Sequence, residues 1–308
     1  MARPGMPILS DGGRDALDRY AAHLHGQADL RPATLRNYLS DLRQFAAWCE
    51  ATWTAGGEGE RPFAPTAIAT PTITRYRAYL QQTLHLKPAS VNRGLISVKR
   101  YCAWAVAEGL IPRDPAAIVK PVGQDSAAPR NLDDSEEEAL VAAVTKGGSV
   151  RDRAIVIMML HTGLRAGEIC RLRRDDVTLG KRSGLLRVTG KGNKYREVPL
   201  NATARALLGT YLATPAAQGA HLFPSGKTGD ALTERALGHL IKRYADQARL
   251  VEVSPHDLRH RFGYRMAEVV PLHRLAQIMG HDSLDTTMTY VKATQRDLQR
   301  EVEKIAWA

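Results

Sequence analysis

Cysteine is scarce in this chain and long apolar runs are missing, and each shortage excludes a class of protein. Three cysteines occur among 308 residues, and their spacing matches neither a CxxC pair nor a mixed Cys/His zinc site. We therefore expect buried free thiols at Cys49, Cys102 and Cys170, and no metal site. The amino terminus lacks the apolar segment of a signal peptide, and no stretch approaches the length of a membrane span. These absences predict a cytoplasmic protein that does not enter a membrane.

Acidic residues are also few, with 32 Asp and Glu against 43 Lys and Arg, a formal net charge of +11 and a pI near 9.7. Both halves of the chain carry the basic excess. Neutralising phosphates supplies most of the sequence-independent affinity for nucleic acid, so the charge favours DNA or RNA as a partner. A basic protein without such a partner is the alternative. The 44% hydrophobic content is typical of folded material, and the length leaves room for two domains.

The first 120 residues predict a small all-helical domain. Apolar residues recur there every three or four positions, most clearly over residues 35–48, and four helices are expected in all. Prolines and small residues then mark residues 121–131 as a linker. Residues 132–308 remain for a second domain.

Several basic residues of the first domain lie off the apolar stripes of its helices. One interpretation is that they contact DNA phosphates, so that two basic domains close around a duplex. The alternative is that they lie on solvated helix faces and bind nothing. The candidate DNA contacts are Arg36, Arg43, Arg93, Lys99 and Arg100.

In the second domain, two features present basic groups in turns. Two glycines flank Arg165 in a predicted tight turn before a helix, and a guanidinium held there would suit phosphate oxygens. Residues 184–200 then change to a period of two and predict a β-hairpin, whose turn carries Lys191 and Lys194. Such a turn is often merely solvated, but its combination with Arg165 favours a second phosphate contact.

A predicted helix that begins at Pro255 collects three chemically active side chains. His256, Arg259 and His260 lie three and four residues apart, so all three project from roughly one face. This face offers a proton shuttle beside a fixed cation. We expect His260 to pack or to form a hydrogen bond. A metal-dependent nuclease that uses His256, Asp257 and His260 is the weakest alternative.

The residues that follow add an imidazole and a phenol. A helix predicted over Leu272–Met279 ends at Gly280, and His281 comes just past that end, where it could also serve as a capping group. Tyr290 follows nine residues later, and a phenol can act as a nucleophile toward phosphorus. Histidines, arginine and tyrosine together suggest phosphoryl transfer.

Taken together, these segments resemble the motif set of the tyrosine recombinase family, also called phage integrase-type. The segments that carry the resemblance are Thr162-Gly163-Leu164-Arg165, Gly190-Lys191-Gly192-Asn193-Lys194, His256-Asp257-Leu258-Arg259-His260, Gly280-His281 and Tyr290. The implied fold is mainly α with a small β-sheet: an all-helical core-binding domain and an α+β catalytic domain that form a two-domain DNA clamp. The sequence departs from the commoner family pattern at residues 261–265 and 269–271, which puts the local helix geometry in question.

The resemblance implies that DNA is cleaved and rejoined through a 3′-phosphotyrosyl intermediate, without metal or nucleotide cofactor. Tyr290 would attack the scissile phosphate, and Arg165 and Arg259 would bind the non-bridging oxygens, where charge builds up in the transition state. Lys191 would protonate the departing 5′-oxygen.

Three further residues would assist. By the same resemblance, His256 is a general acid or base near the tyrosine, His281 a hydrogen-bond donor to the phosphate, and Glu168 a supporting carboxylate behind the site.

The implied partner is double-stranded DNA with specific recombination sites, bound by a tetramer of this chain alone or together with a related recombinase. The apolar stripe of a predicted terminal helix, 295–306, could be exchanged between protomers, and the enzyme would act at the nucleoid. Two alternatives stay open: a DNA-binding regulator or accessory protein that does not cut, and a type IB topoisomerase.

Overall fold

Helices form most of the chain, as its apolar periodicity predicts. The computed structural model describes residues 8–27, 30, 32–55, 61–123, 130–190, 195–281 and 283–293. The chain divides into two units, Met1–Ser126 and Ala127–Ala308, the first helical and the second helical with a small sheet.

The first unit is built on α2 packed against α1 and α4. Its core is rich in aromatic side chains: the Tyr20 ring centroid lies 5.2 Å from that of Tyr101 and 5.1 Å from that of Trp104. Aromatic pairs at such separations contribute beyond the area that they bury. The helices of this unit are α1 (Asp11–His25), α2 (Pro32–Ala55), α3 (Thr70–Ala78) and α4 (Pro88–Ala107). Helix α3 continues into a short π-helix, Tyr79–Thr83.

The second unit is organised around α6, whose middle stretch is apolar on all sides. Every residue from Ala154 to Leu160 is buried, since this stretch contains no polar residue, and α5, α8 and α10 pack around the helix. Its helices are α5 (Asp134–Gly147), α6 (Val150–Thr162), α7 (Ala166–Arg171), α8 (Ala202–Leu212), α9 (Glu234–Gln247), α10 (Pro255–Ala267), α11 (Leu272–Met279) and α12 (Leu284–Ala293).

The sheet of the second unit has three antiparallel strands in the order β1 (Val177–Leu179), β2 (Gly184–Thr189) and β3 (Tyr195–Pro199). Strands β2 and β3 are the predicted hairpin, and Val188 pairs with Arg196 across it. Strand β1 was not predicted, because three residues are too few to reveal an alternating pattern.

Helix α10 is fixed to α5 by ion pairs. Arg261 is only 7% exposed; its guanidinium donates to Glu137 Oε2 at 2.6 Å and also to Asp134. Arg265 donates to the other oxygen of Glu137 at 2.9 Å. The family departures at residues 261–265 therefore do not interrupt α10, which runs unbroken from Pro255 to Ala267.

Candidate active site

Arg165 is held at the start of α7 by contacts with Glu168 of that helix and with Gly280 at the end of α11. Its backbone N–H donates to Glu168 Oε2 at 2.8 Å, and its Nη1 donates to Oε1 of the same carboxylate at 3.1 Å. Its Nη2 donates to the carbonyl oxygen of Gly280 at 2.6 Å. The side chain is still 42% exposed. The guanidinium is therefore both fixed and accessible, as the predicted turn requires.

Glu168 is the buried anion that holds two arginines in place. Its carboxylate is 4% exposed and accepts hydrogen bonds from Arg196 at 2.8 and 2.9 Å as well as those from Arg165. Burial opposes ionisation, but the bonds from Arg196 and from the Arg165 backbone outweigh it and lower the pKa of Glu168 to about 2. Glu168 is therefore charged at any physiological pH.

Arg196 connects strand β3 with the end of α11. Besides its paired bonds to Glu168, its Nε donates to the carbonyl oxygen of Ile278 at 2.9 Å. Gly280 has φ +65°, and a Cβ there would lie 2.8 Å from the Arg196 guanidinium. Arg196 was not among the predicted site residues. Strand alternation could have identified it, because Arg196 lies two residues before buried Val198 and therefore on the same, buried face of its strand.

Arg259 is buried in α10, with 4% of its surface exposed. Its Nη1 donates to the carbonyl oxygen of Gly163, and its Nη2 donates to that of Met279 at 3.0 Å. Burial, together with the nearby charge of Arg165, lowers the pKa of Arg259 to about 10, so the group is still a cation at neutral pH. Gly163 can present its carbonyl because it adopts φ +61°, and a Cβ there would collide with the Phe262 ring.

His281 lies beside Arg259 with both ring nitrogens in hydrogen bonds. Nε2 is 2.9 Å from Arg259 Nη2, and Nδ1 is 2.8 Å from Thr287 Oγ1. Burial and the charges of Arg259 and Arg165 lower the pKa of His281 to about 4, so the ring is neutral at pH 7. Because arginine can only donate, Nε2 accepts and Nδ1–H donates to Thr287. The predicted contact of His281 with phosphate therefore requires Arg259 to release Nε2.

Tyr290 packs on α10 and is 2% exposed. Its Oη is 3.2 Å from His260 Nδ1, and its ring lies edge-on to Tyr264 at 5.2 Å between centroids. A Cβ on Gly263 would come within 2.5 Å of the Tyr290 ring, so this glycine makes the close approach possible. Burial raises the pKa of Tyr290, with Arg259 acting in the opposite direction.

His256 is exposed one turn before His260, with 6.2 Å between the two ring centroids. Lys191 and Lys194 lie outside the described residues, so their contacts with phosphate stay predictions. The two predicted arginines converge: Arg165 and Arg259 donate to the carbonyl oxygens of the adjacent residues Gly280 and Met279, respectively.

The candidate DNA contacts of the first unit have varied surroundings. Arg93 pairs with buried Asp41, donating to its two oxygens at 3.1 and 3.0 Å. The Arg100 guanidinium lies 4.9 Å from the centre of the Tyr38 ring. Arg36 is exposed, and Arg43 and Lys99 are half-buried. Arg93 therefore has a structural partner already, whereas Arg36 is open to a ligand.

The described residues contain neither a candidate membrane span nor a candidate metal site. None of the helices there combines the length and apolar character needed to cross a bilayer. No cluster of three or more His, Cys, Asp or Glu side chains that could hold a metal ion occurs in the same part of the chain.

Comparison with known proteins gives matches along most of the chain. The profile of the phage integrase family matches residues 130–296, and that of the phage integrase N-terminal SAM-like domain matches residues 17–109. Tyrosine recombinase XerC of Xanthomonas campestris pv. campestris is 32% identical over 298 residues, which cover 94% of this chain and 89% of the relative. Tyrosine recombinase XerD of Ralstonia nicotianae is 31% identical over 309 residues, covering 97% and 96%.

A solved structure shares the fold at lower sequence identity. A lambda integrase tetramer bound to a Holliday junction superposes with a TM-score of 0.68 at 18% identity, covering 90% of this chain and 76% of that one. The mainly α architecture with a small sheet is thereby confirmed. The chain belongs to the phage integrase family and is a tyrosine recombinase, an enzyme of site-specific recombination that breaks and rejoins DNA strands.

Proposed function

We propose that Tyr290 attacks the scissile DNA phosphate and forms a 3′-phosphotyrosyl bond with release of a 5′-hydroxyl. The single observation that carries this proposal is the convergence of two fixed guanidiniums, Arg165 and Arg259, in the unit that buries the phenol. Charge develops on the non-bridging oxygens as phosphorus is attacked, and preorganised cations stabilise it there. Storing the broken bond as an ester lets a different 5′-hydroxyl reverse the step, which is strand exchange.

The neighbouring residues take supporting roles in this proposal. Glu168 keeps Arg165 oriented through the bonds described above. Lys191 protonates the leaving 5′-oxygen, and His256, exposed on the same helix as Arg259, acts as a general acid or base at the open side of the site. No metal or nucleotide cofactor is part of the proposal.

His281 reaches the phosphate by a change of tautomer. Once Arg259 turns Nη2 toward the phosphate, Nε2 is released. A threonine hydroxyl can donate as well as accept, so Thr287 can supply its proton to Nδ1 while Nε2 carries one. His281 then donates to a phosphate oxygen from Nε2.

The substrate follows from the family and the charge: DNA is the partner, and we infer double-stranded recombination sites as the form that is bound. We further propose residues 1–120 as the core-binding domain, 121–131 as the linker and 132–308 as the catalytic domain. A homotetramer, or one shared with a related recombinase, would hold two duplexes, as the lambda integrase tetramer holds its junction. The predicted terminal helix, 295–306, lies outside the described residues, and we propose that it is exchanged between subunits. The enzyme would act at the nucleoid.

The test is covalent trapping. Incubating the protein with genomic fragments, denaturing it and sequencing the DNA that stays attached identifies the target, and a nicked duplex of that sequence then traps the adduct. Tyr290→Phe should abolish the adduct, because no nucleophilic oxygen is left at that position. Tyr264→Phe, which keeps a neighbouring ring and removes only its hydroxyl, should still form it. An adduct on Tyr290→Phe would show that another residue is the nucleophile.

A further inference from the structure

A hydrogen bond between α10 and α12 joins the phenol to His260, which the sequence predicts only to pack or to form a hydrogen bond. His260 Nδ1 lies 3.2 Å from Tyr290 Oη, and the two ring centroids are 5.8 Å apart. We propose that His260 is the general base that takes the phenolic proton during strand cleavage. This proposal rests on Tyr290 being the nucleophile. It gives the base role to the histidine one turn after His256, in place of the acid or base role proposed above for His256.

The other histidines are less well placed to accept this proton. His281 stacks on Tyr290 with 6.2 Å between ring centroids, but its Nε2 faces Arg259 and its Nδ1 faces Thr287. His256 is exposed at the start of α10, beyond His260 as seen from the phenol. A base must come within hydrogen-bond reach of the proton that it removes, and His260 does.

The close approach is built into the helix itself. His260 and Gly263 are three residues apart and therefore lie on the same face of α10. Because Gly263 has no Cβ, the Tyr290 ring can rest directly on that face, where any larger residue would meet it at 2.5 Å. The phenol oxygen is thereby directed to the imidazole one turn earlier. Two positions of α10 therefore act together: Gly263 accommodates the Tyr290 ring, and His260 receives the proton of the Tyr290 hydroxyl.

The surroundings of His260 suit a base. The charged and titratable groups that face it are His256, Asp257 and Arg259 from its own helix and Tyr290 from α12. Burial is the main cause that lowers the pKa of His260, and the neighbouring His256 adds to it, so the imidazole is neutral at neutral pH. In the tautomer that is protonated at Nε2, Nδ1 presents its lone pair to the phenol. An ordinary phenol ionises only near pH 10 and burial raises the pKa of Tyr290 further, so the attack needs a base.

Proton transfer to His260 accompanies the exchange of ester bonds at phosphorus. The Tyr290 O–H bond breaks and its proton moves to His260 Nδ1, while Nε2 already carries the other ring proton. The phenolate oxygen forms a bond to phosphorus, and the bond from phosphorus to the 5′-oxygen breaks. That oxygen takes a proton from the general acid, for which Lys191 is proposed. In rejoining, the imidazolium returns its proton to the departing phenolate, so His260 ends each cycle neutral.

The experiment separates proton transfer from positioning with one substitution. In His260→Asn, the amide oxygen can take the place of Nδ1 as hydrogen-bond acceptor, but it cannot carry the proton. We expect the single-turnover rate of adduct formation on the nicked target to fall by about 100-fold or more, the usual contribution of a general base. His273→Asn removes an exposed imidazole of α11 and should leave the rate unchanged. Thermal denaturation should show both variants folded.

A second arm changes the acidity of the nucleophile. A fluorinated tyrosine incorporated at position 290 ionises more readily, so it depends less on a base. It should restore much of the rate lost in His260→Asn and change the rate of the unsubstituted chain far less. A substrate with sulfur in place of the 5′-oxygen needs no acid for its leaving group, so it should not rescue His260→Asn.

Each outcome decides the matter. A wild-type rate in His260→Asn, or a slow rate that the fluorinated tyrosine does not improve, overturns the proposal, because His260 would then only pack or position the ring. Rescue by the sulfur substrate would assign His260 to the acid side and overturn it as well. If Tyr290→Phe still forms the adduct, the proposed function itself fails, whatever His260 does.

Discussion

Replacing Glu168 with glutamine should destabilise the second unit more than any exposed carboxylate would. The substitution keeps the size of the side chain but removes the charge that binds Arg165 and Arg196, and it turns an amide donor toward arginine donors. The pKa of Glu168 falls from 4.5 to about 2 in the folded protein. At about 1.4 kcal/mol per pKa unit, the folded state favours the ionised carboxylate by about 3 kcal/mol.

The measurement is the thermal unfolding of Glu168→Gln followed by circular dichroism at pH 7. A loss of about 3 kcal/mol should lower Tm by about 10 °C for a unit of this size. Asp246→Asn is the matched control, because it removes the charge of a carboxylate that pairs with Lys242 at 2.9 Å on the surface. Exposed pairs of this kind contribute about 0.5 kcal/mol or less, so the control should melt almost like the unsubstituted protein.

The stabilising effect of Glu168 should also depend on pH. The folded pKa of Glu168 is depressed, so its stabilising effect is complete above the ordinary pKa of 4.5 and is lost as the pH falls through about 2. The difference between the unsubstituted chain and Glu168→Gln should therefore be constant at neutral pH and shrink in acid. A Tm loss no larger than that of Asp246→Asn, or a difference independent of pH, would refute this account of the buried carboxylate.

Three further predictions concern other parts of the structure. Gly263→Ala should lower the free energy of unfolding by about 1–3 kcal/mol, because the added methyl overpacks against the Tyr290 ring, and it should slow adduct formation. Gly238→Ala, with open space around its Cβ, should raise the free energy of unfolding by about 0.5–1 kcal/mol, and thermal melts of the two variants check both values. The pKa of His281 is depressed to about 4, so the unfolded chain binds this proton more readily, and the free energy of unfolding should fall as the pH drops from 6.5 toward 4. Urea titrations should show that His281→Asn lacks this dependence. Arg93→Ala should lower Tm, since it leaves a buried carboxylate without its cation, whereas Arg36→Ala should weaken DNA binding in a salt-dependent way at unchanged Tm.

Local patterns in the sequence were enough for much of the second unit. The helix predicted over Leu272–Met279 has those bounds in the structure, because its apolar spacing and Gly280 act within a few residues of one another. The turn before α7 could also be read locally, and it does hold Arg165. Family membership followed from five short segments in a fixed order, which is information that the linear chain contains.

Contacts between distant segments could not be predicted from local sequence patterns. Strand alternation places Arg196 on a buried face, but its partner Glu168 is 28 residues away, and nothing local identifies it. Glu137 likewise fixes α10 through Arg261, 124 residues further along the chain, and nothing local identifies that partner.

The helices, the hairpin, the family and the set of reactive side chains could be predicted from the order of the residues, because each depends on periodicity or on neighbours within a turn or two. The pairing of those side chains emerges only in the folded chain: His260 rather than His256 with the phenol, and His281 between Arg259 and Thr287. Such pairings depend on how closely α10 and α12 approach. The missing Cβ of a single glycine, Gly263, permits that approach.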